Sequence, residues 1–154
     1  MLRHLQTIVG KNIDATKRAK TDMKRGSFVK VDDAKGELVL ATATADFEGV
    51  VVRDVVVDID VANGEPVSDL SITQDLIKSG ELAGLEVPQE GERYATTEFG
   101  DTVALPEAEA VAGKTLDVAN GKLVKAVESS TSKIRSLGFM NIAGAKYLGF
   151  KIIK

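Results

Sequence analysis

Apolar and polar residues alternate through much of this chain with a period of two, which is the pattern of a β-strand rather than of a helix. After Gly26, the apolar residues Phe28, Val29 and Val31 precede a cluster of turn-forming residues at 32–36, and apolar residues resume at 38–40. This arrangement predicts a β-hairpin. Residues 49–61 are β-branched almost throughout and predict a further strand.

A second segment, residues 113–126, repeats the pattern of the first hairpin. Each copy starts with a glycine, contains two apolar stretches, and has a turn that ends in Gly36 or Gly121. The Asn120-Gly121 dipeptide of the second copy is favoured in two-residue hairpin turns. Two explanations remain open: an internal duplication, or the limited chemistry of hairpin turns. The apolar residues at 147–153 predict a last strand, so we expect a mainly β fold, a small β-barrel or β-sandwich built from two similar hairpin units.

The first 25 residues lack a clear strand period. Residues 14–25 are polar on most sides and could form either a short exposed helix or an arm that becomes ordered against a partner. We favour the second interpretation and predict that residues 1–25 are an extended, basic N-terminal arm. Residues 26–154 form the predicted β-rich body, which contains an insert at about 65–112.

Within the insert, local signals predict one short helix and two short strands. Residues 73–80 begin with a capping Thr, have an acid in the first turn and end in Gly, which are helix start and end signals. Residues 93–99 and 102–105 predict strands separated by Gly100-Asp101.

Charge is distributed unevenly along the 154 residues. Residues 1–30 contain eight Lys or Arg and two Asp, whereas the whole chain has a net charge of −3. A basic head therefore precedes an acidic body.

The chain has no Cys, so disulfides and thiolate metal sites are excluded. Neither a signal-peptide core nor an apolar run of about 18 residues is present, so we expect neither secretion nor a membrane span.

Histidine and acidic residues provide no complete catalytic or metal-binding pattern. His4 is the single histidine, which excludes a His-based triad, and we interpret it as a surface residue. Asp58 and Asp60 are spaced like the start of a calcium loop, but the next ligand position is Ala62. We interpret these carboxylates as the solvent-facing side of a strand.

Hydroxyl-rich and paired acidic segments also have ordinary explanations. Residues 129–132 precede Lys133, and a Ser–Lys nucleophile pair is one interpretation. Small polar runs are more typical of a connection between strands, and we favour that interpretation. Glu107 and Glu109 could act as an acid pair only in a cleft, which in glycosidases usually has aromatic platforms, and only 5% of the residues are aromatic. We therefore predict no enzymatic activity, no catalytic residue, no cofactor and no metal.

The basic head allows three interpretations: a solvated or self-docking segment, a surface for a protein partner, or a phosphate-binding surface. We predict a surface that binds a partner or a neighbouring subunit. Its candidate residues are Leu5, Ile8, Lys11, Lys17, Arg18, Lys20, Lys24 and Arg25.

The two hairpin segments resemble a family of virion proteins. The runs are Gly26-Ser-Phe-Val-Lys-Val, Gly36-Glu-Leu-Val-Leu-Ala, Gly113-Lys-Thr-Leu-Asp-Val and Asn120-Gly-Lys-Leu-Val-Lys-Ala. They resemble the glycine and valine pattern of head decoration, or cement, proteins of tailed bacteriophages. The opening residues 8–20 are similar to the start of phage structural proteins.

This resemblance implies a protein that is made in the host bacterial cytoplasm and binds the outer surface of the capsid, often as a trimer. Its partner would be the major capsid protein, and its role would be to stabilise the shell. In this hypothesis Lys17, Arg18, Lys24 and Arg25 meet an acidic capsid surface, while Leu5 and Ile8 make apolar contacts. Residues 65–112 have no counterpart in the simplest members of the family.

Two other classes of protein remain as alternatives. A small nucleic-acid-binding barrel could use the hairpin at residues 25–41, although the acidic body and the few aromatic residues argue against it. A cofactor-free enzyme is the third class. The decoration hypothesis predicts that removal of residues 2–25 abolishes capsid binding and leaves the body folded.

Overall fold

The computed structural model describes residues 2–6, 14–52 and 76–153. This part of the chain is mainly β, as predicted, and its helical structure consists of single 3-10 turns at Thr44–Asp46 and Glu107–Glu109. The strands are β1 (Leu2–Gln6), β2 (Asp14–Ala19), β3 (Met23–Lys24), β4 (Phe28–Asp32), β5 (Glu37–Leu40), β6 (Gly49–Val52), β7 (Leu76–Ile77), β8 (Leu82–Glu86), β9 (Arg93–Thr96), β10 (Thr115–Ala119), β11 (Lys122–Lys125), β12 (Ile134–Ile142) and β13 (Ala145–Ile152).

Five strands form a closed barrel in the order β2-β5-β4-β6-β8. The predicted first hairpin is confirmed, because β4 and β5 pair antiparallel from Val29 opposite Leu40 to Asp32 opposite Glu37. Strand β6 pairs with the other side of β4, and β8 joins β6 to β2. Strand β2 then runs parallel to β5 and closes the barrel. Buried aliphatic side chains fill its interior, including Leu38, which is fully buried.

The other large element is a six-stranded sheet in the order β1-β9-β13-β12-β10-β11. The second predicted hairpin, β10–β11, is also confirmed. Asn120 and Gly121 both have positive φ, 49° and 74°, as a two-residue hairpin turn requires. The predicted C-terminal strand is confirmed as β13, which lies between β9 and β12.

The two hairpins have the same local strand order although they lie in different sheets. In each, the next strand pairs with the first strand of the hairpin, which gives β5-β4-β6 in the barrel and β11-β10-β12 in the sheet. The turn of the second hairpin also docks on the first: the Phe28 N–H donates to the Gly121 carbonyl at 2.9 Å, and the Gly121 N–H donates to the Ala41 carbonyl at 2.8 Å. This shared order is what a duplication would produce, and the duplication stays a prediction.

The barrel and the sheet share one hydrophobic core. Phe28 and Val50 come from the barrel, and Tyr94, Leu116 and Phe150 come from the sheet, within a single buried cluster. The ring centroid of Phe150 lies 5.4 Å from that of Phe28 and 5.3 Å from that of Tyr94. Aromatic pairs at these distances stabilise a core beyond the area that they bury.

The segment predicted as an extended arm instead supplies strands to the body. Strand β1 pairs with β9, β2 closes the barrel, and β3 pairs with β7. The physical reason is that the neighbouring strands offer unpaired backbone groups, and pairing satisfies them. Strand β2 is polar in sequence because five of its six residues are not fully buried; the buried residue is Ala19.

Two predictions within the insert are wrong. Leu76–Ile77 form strand β7 rather than a helix, because Ile77 is buried in the barrel interior; residues 73–75 lie outside the described part. Residues 102–105 form a turn, in which the Asp101 carboxylate accepts the N–H groups of Val103 and Ala104 at 3.0 and 2.9 Å. The strand predicted at 93–99 is confirmed as the shorter β9.

The long β-branched strand is confirmed over its first residues as β6, Gly49–Val52. Its predicted continuation at residues 53–61, with Asp58 and Asp60, lies outside the described residues.

Candidate functional site

The exposed cations of the predicted partner-binding segment lie on and beside strands β2 and β3. Arg18, Lys20 and Lys24 are exposed. The Arg18 Nη1 donates to the Gly80 carbonyl at 2.7 Å, which holds this side chain against the turn before β8. The segment therefore presents positive charge from a strand-built surface rather than from a free arm.

Two other predicted cations are less available to a partner. Lys17 Nζ lies 3.8 Å from the Asp14 carboxylate. Hydrogen bonds from the Thr16 hydroxyl and the Thr16 N–H hold the pKa of Asp14 below its usual value, with a smaller contribution from Lys17. Arg25 is half-buried, and its Nε is buried with no hydrogen-bond partner within the described part of the chain.

Acidic neighbours reduce the positive field of this segment. Arg18 lies opposite Glu37 in the β2–β5 pairing, and the Asp22 carboxylate accepts the Ser79 N–H at 2.9 Å. The backbone of Leu5 belongs to β1, but nothing is described of its side chain; Ile8 and Lys11 lie outside the described residues. The structure thus places five of the eight predicted residues on neighbouring strands and turns, with acidic residues beside them. The five are Lys17, Arg18, Lys20, Lys24 and Arg25.

A cavity of about 570 Å³ has no lining residue in the basic segment; its walls come from the β5–β6 connection of the barrel, strands of the six-stranded sheet and the loop between β11 and β12. Its apolar surface includes Phe47, Val118, Ile134 and Ile152. The loop between β11 and β12, with the hydroxyl-rich run of residues 129–132, forms another part of the wall. The lining residues are Ala43, Thr44, Ala45, Phe47, Asp117, Val118, Val127, Ser129, Ser130, Thr131, Ser132, Lys133, Ile134 and Ile152.

Asp117 organises the polar wall of this cavity. Its carboxylate accepts hydrogen bonds from the Thr44 hydroxyl at 3.0 Å, the Ser130 hydroxyl at 2.5 Å and the Val127 N–H at 3.1 Å. The Thr44 hydroxyl in turn accepts the Val118 N–H at 2.8 Å. One side chain therefore ties together the barrel loop, strand β10 and the β11–β12 loop.

The hydroxyl run does not have the geometry of a Ser–Lys nucleophile pair. The Ser130 hydroxyl donates to Asp117, and the Ser132 hydroxyl accepts the Ile134 N–H at 3.2 Å. Lys133 forms no ion pair or side-chain hydrogen bond with any residue that the structure describes. The segment is a connection between strands, as predicted, and the sequence did not indicate that it lines a cavity.

A buried polar cluster lies at the junction of barrel and sheet. The Tyr94 hydroxyl lies 2.9 Å from Glu86 Oε1 and 2.7 Å from Glu92 Oε2, and all three residues are buried. Burial, followed by these two hydrogen bonds, raises the pKa of the Tyr94 phenol well above its usual range. Tyr94 therefore remains a donor, and the cluster links β8 to β9 inside the core.

The remaining sequence candidates have structural partners or lie outside the described residues. Glu107 and Glu109 pair with Lys146 at 2.9 Å and Lys114 at 3.4 Å. The backbone of His4 lies opposite Tyr94 in the β1–β9 pairing. Among residues 2–6, 14–52 and 76–153, no three His, Cys, Asp or Glu side chains are close enough to hold a metal ion. No helix in this part of the chain is long and apolar enough to cross a membrane.

Comparison with known proteins adds no relative: no family model, no curated protein and no solved structure matches the chain.

Proposed function

We propose that this chain is a structural virion protein that binds the outer surface of a tailed-phage capsid through the major capsid protein and stabilises the shell. The observation that supports this most is the placement of Arg18, Lys20 and Lys24 on strand-built surface. A surface that is already ordered loses little conformational entropy on binding. In a trimer, three copies of this surface would bind the shell together, so that individually weak contacts give a stable complex.

The interlocked strands also suit a protein that reinforces a shell. Strand β1 belongs to the six-stranded sheet, β2 to the barrel and β3 to the small β3–β7 pair, so three successive strands contribute to three separate elements. The shared core adds a second link between barrel and sheet. Force applied at the cationic surface would be distributed over this network rather than over one flexible tether.

The positions of the aromatic residues favour a protein partner over nucleic acid. All seven rings of the chain are in the described part, and each is buried or half-buried. Phe47, Phe99 and Phe139, which are half-buried, pack against the main core. Proteins that bind single strands use accessible rings as stacking platforms, and these rings are engaged in the interior.

Charge reversal at the exposed cations tests the proposal. The double variant Lys20→Glu, Lys24→Glu should bind shells assembled from the major capsid protein of the same phage about tenfold more weakly, because attraction at an interface rim becomes repulsion. Co-sedimentation at several salt concentrations measures this effect. The matched control is Lys122→Glu, Lys125→Glu, which makes the same charge change on exposed positions of β11.

The wild-type protein should decorate shells, and the control variant should bind as the wild type does. Absence of wild-type binding would refute the proposed function. Binding to a short DNA duplex that decreases steeply with salt would instead support the nucleic-acid alternative.

A further inference from the structure

The cavity beside the β11–β12 loop has the volume and the lining of a pocket that binds an apolar side chain. Its volume of about 570 Å³ is within the range of roughly 300–1,000 Å³ that is typical of binding pockets. Phe47, Val118, Ile134 and Ile152 give it apolar walls. The transfer of an apolar group from water to such walls is favourable.

The rim adds positive charge and a continuation of the apolar surface. Lys133 is exposed, and within the described residues its ammonium group has no carboxylate partner. Val127, on the same rim, is 66% exposed. Because Val127 exposes apolar surface at the edge of the cavity, a partner that also covers this edge fits better than a small molecule enclosed within the cavity.

The cavity wall is held in place before any partner binds. The three hydrogen bonds to Asp117 fix Thr44, Ser130 and the Val127 backbone. The carboxylate of Asp117 is therefore already engaged by donors, whereas Lys133 has no carboxylate partner among the described residues. Glu128 is also exposed on this loop, so the preference is local: at Lys133 the rim favours a carboxylate of the partner.

We infer that this cavity is a second contact site for the capsid partner and receives an apolar side chain from an acidic segment of it. The carboxylate of that segment would meet Lys133, and its apolar side chain would lie among Phe47, Ile134 and Val118. This inference rests on the proposed function, and it adds a contact that is independent of the cations on β2 and β3.

Single substitutions on the rim test the inference. Val127→Asp and Lys133→Glu should each weaken co-sedimentation with shells of the major capsid protein by about tenfold, through lost apolar contact and charge repulsion respectively. Both side chains are exposed, so both variants should keep the wild-type midpoint of urea unfolding. The matched controls are Val103→Asp, at a site that is 80% exposed on another loop, and Lys125→Glu. Both controls should bind as the wild type does.

The outcomes separate this inference from the proposed function. If the wild type binds shells and both rim variants bind as tightly as their controls, the cavity is not a contact site, although the proposed function stands. If the wild type does not bind shells, the proposed function and the inference that rests on it are both refuted.

A further measurement identifies a different occupant. Titration of the free protein with decanoate, followed by NMR, would shift cavity resonances if the cavity takes small amphiphiles. Such shifts, together with unimpaired shell binding by both rim variants, would overturn the inference in favour of a small-molecule site.

Discussion

At the scale of single residues, Gly121 joins the barrel to the sheet because a residue without a side chain is needed there. Its N–H and carbonyl bond to Ala41 and Phe28, and its φ is +74°. A Cβ at this position would lie 2.7 Å from the Leu40 Cδ2. Gly144 occupies the same position in the β12–β13 turn, with φ +81°, and a Cβ there would meet nothing within 4 Å.

The pair of glycines provides a matched test of this junction. Gly144→Ala should lower the free energy of unfolding by about 1 kcal/mol, which is the cost of positive φ for a residue with a side chain. Gly121→Ala should lower it by about 2–3 kcal/mol, since Leu40 must also move. Urea denaturation of both variants measures the difference. Equal losses would show that the contact of Gly121 with Leu40 does not contribute.

At the scale of elements, strand β2 decides whether the barrel closes. It pairs with β5 on one side and β8 on the other, so these two strands would become open edges without it. Ala19 and Met23, from the same segment, also lie in the buried cluster of the barrel. The expectation that the body folds without residues 2–25 therefore conflicts with the structure.

Deletion of residues 2–25 should abolish cooperative unfolding, because four strand ladders (β1–β9, β2–β5, β2–β8 and β3–β7) and part of the barrel core are lost. Circular dichroism during urea titration measures the cooperativity. The Lys20→Glu, Lys24→Glu variant is the control, since it changes the charge of the segment and keeps its strands. A truncated protein that still unfolds in one sharp transition would show that β2 is dispensable.

At the scale of the whole molecule, the barrel and the sheet form one packed body through the shared core. The proposal adds that several such bodies associate, with trimers favoured by the resemblance to decoration proteins. Light scattering should therefore give a mass of three times the 16.4 kDa chain, at both low and high salt. The mass should not change when a short DNA duplex is added.

A monomer whose mass increases with duplex at low salt alone would contradict this prediction and favour nucleic-acid binding. A stable dimer would contradict the trimer and leave the virion proposal in place.

Local patterns determined a large part of this fold. The period-two alternation and the turn residues of both hairpins specify β4–β5 and β10–β11, since pairing between adjacent strands depends on nearby residues. The apolar C-terminal run specifies β13 for a different reason: its aliphatic residues would be unfavourably exposed to water unless the run paired into a sheet. The short helix failed as a prediction because capping signals are weaker than burial of Ile77 in the barrel.

Tertiary structure alone decided which distant segments meet. The polar strand β2 shows little alternation, and its pairing depends on edges supplied by β5 and β8. The cavity likewise combines residues 43–47, 117–118, 127–134 and 152, which no local pattern connects. The sequence identified Lys133 and its hydroxyl neighbours but not the cavity that they border, because a cavity is a property of packing between elements.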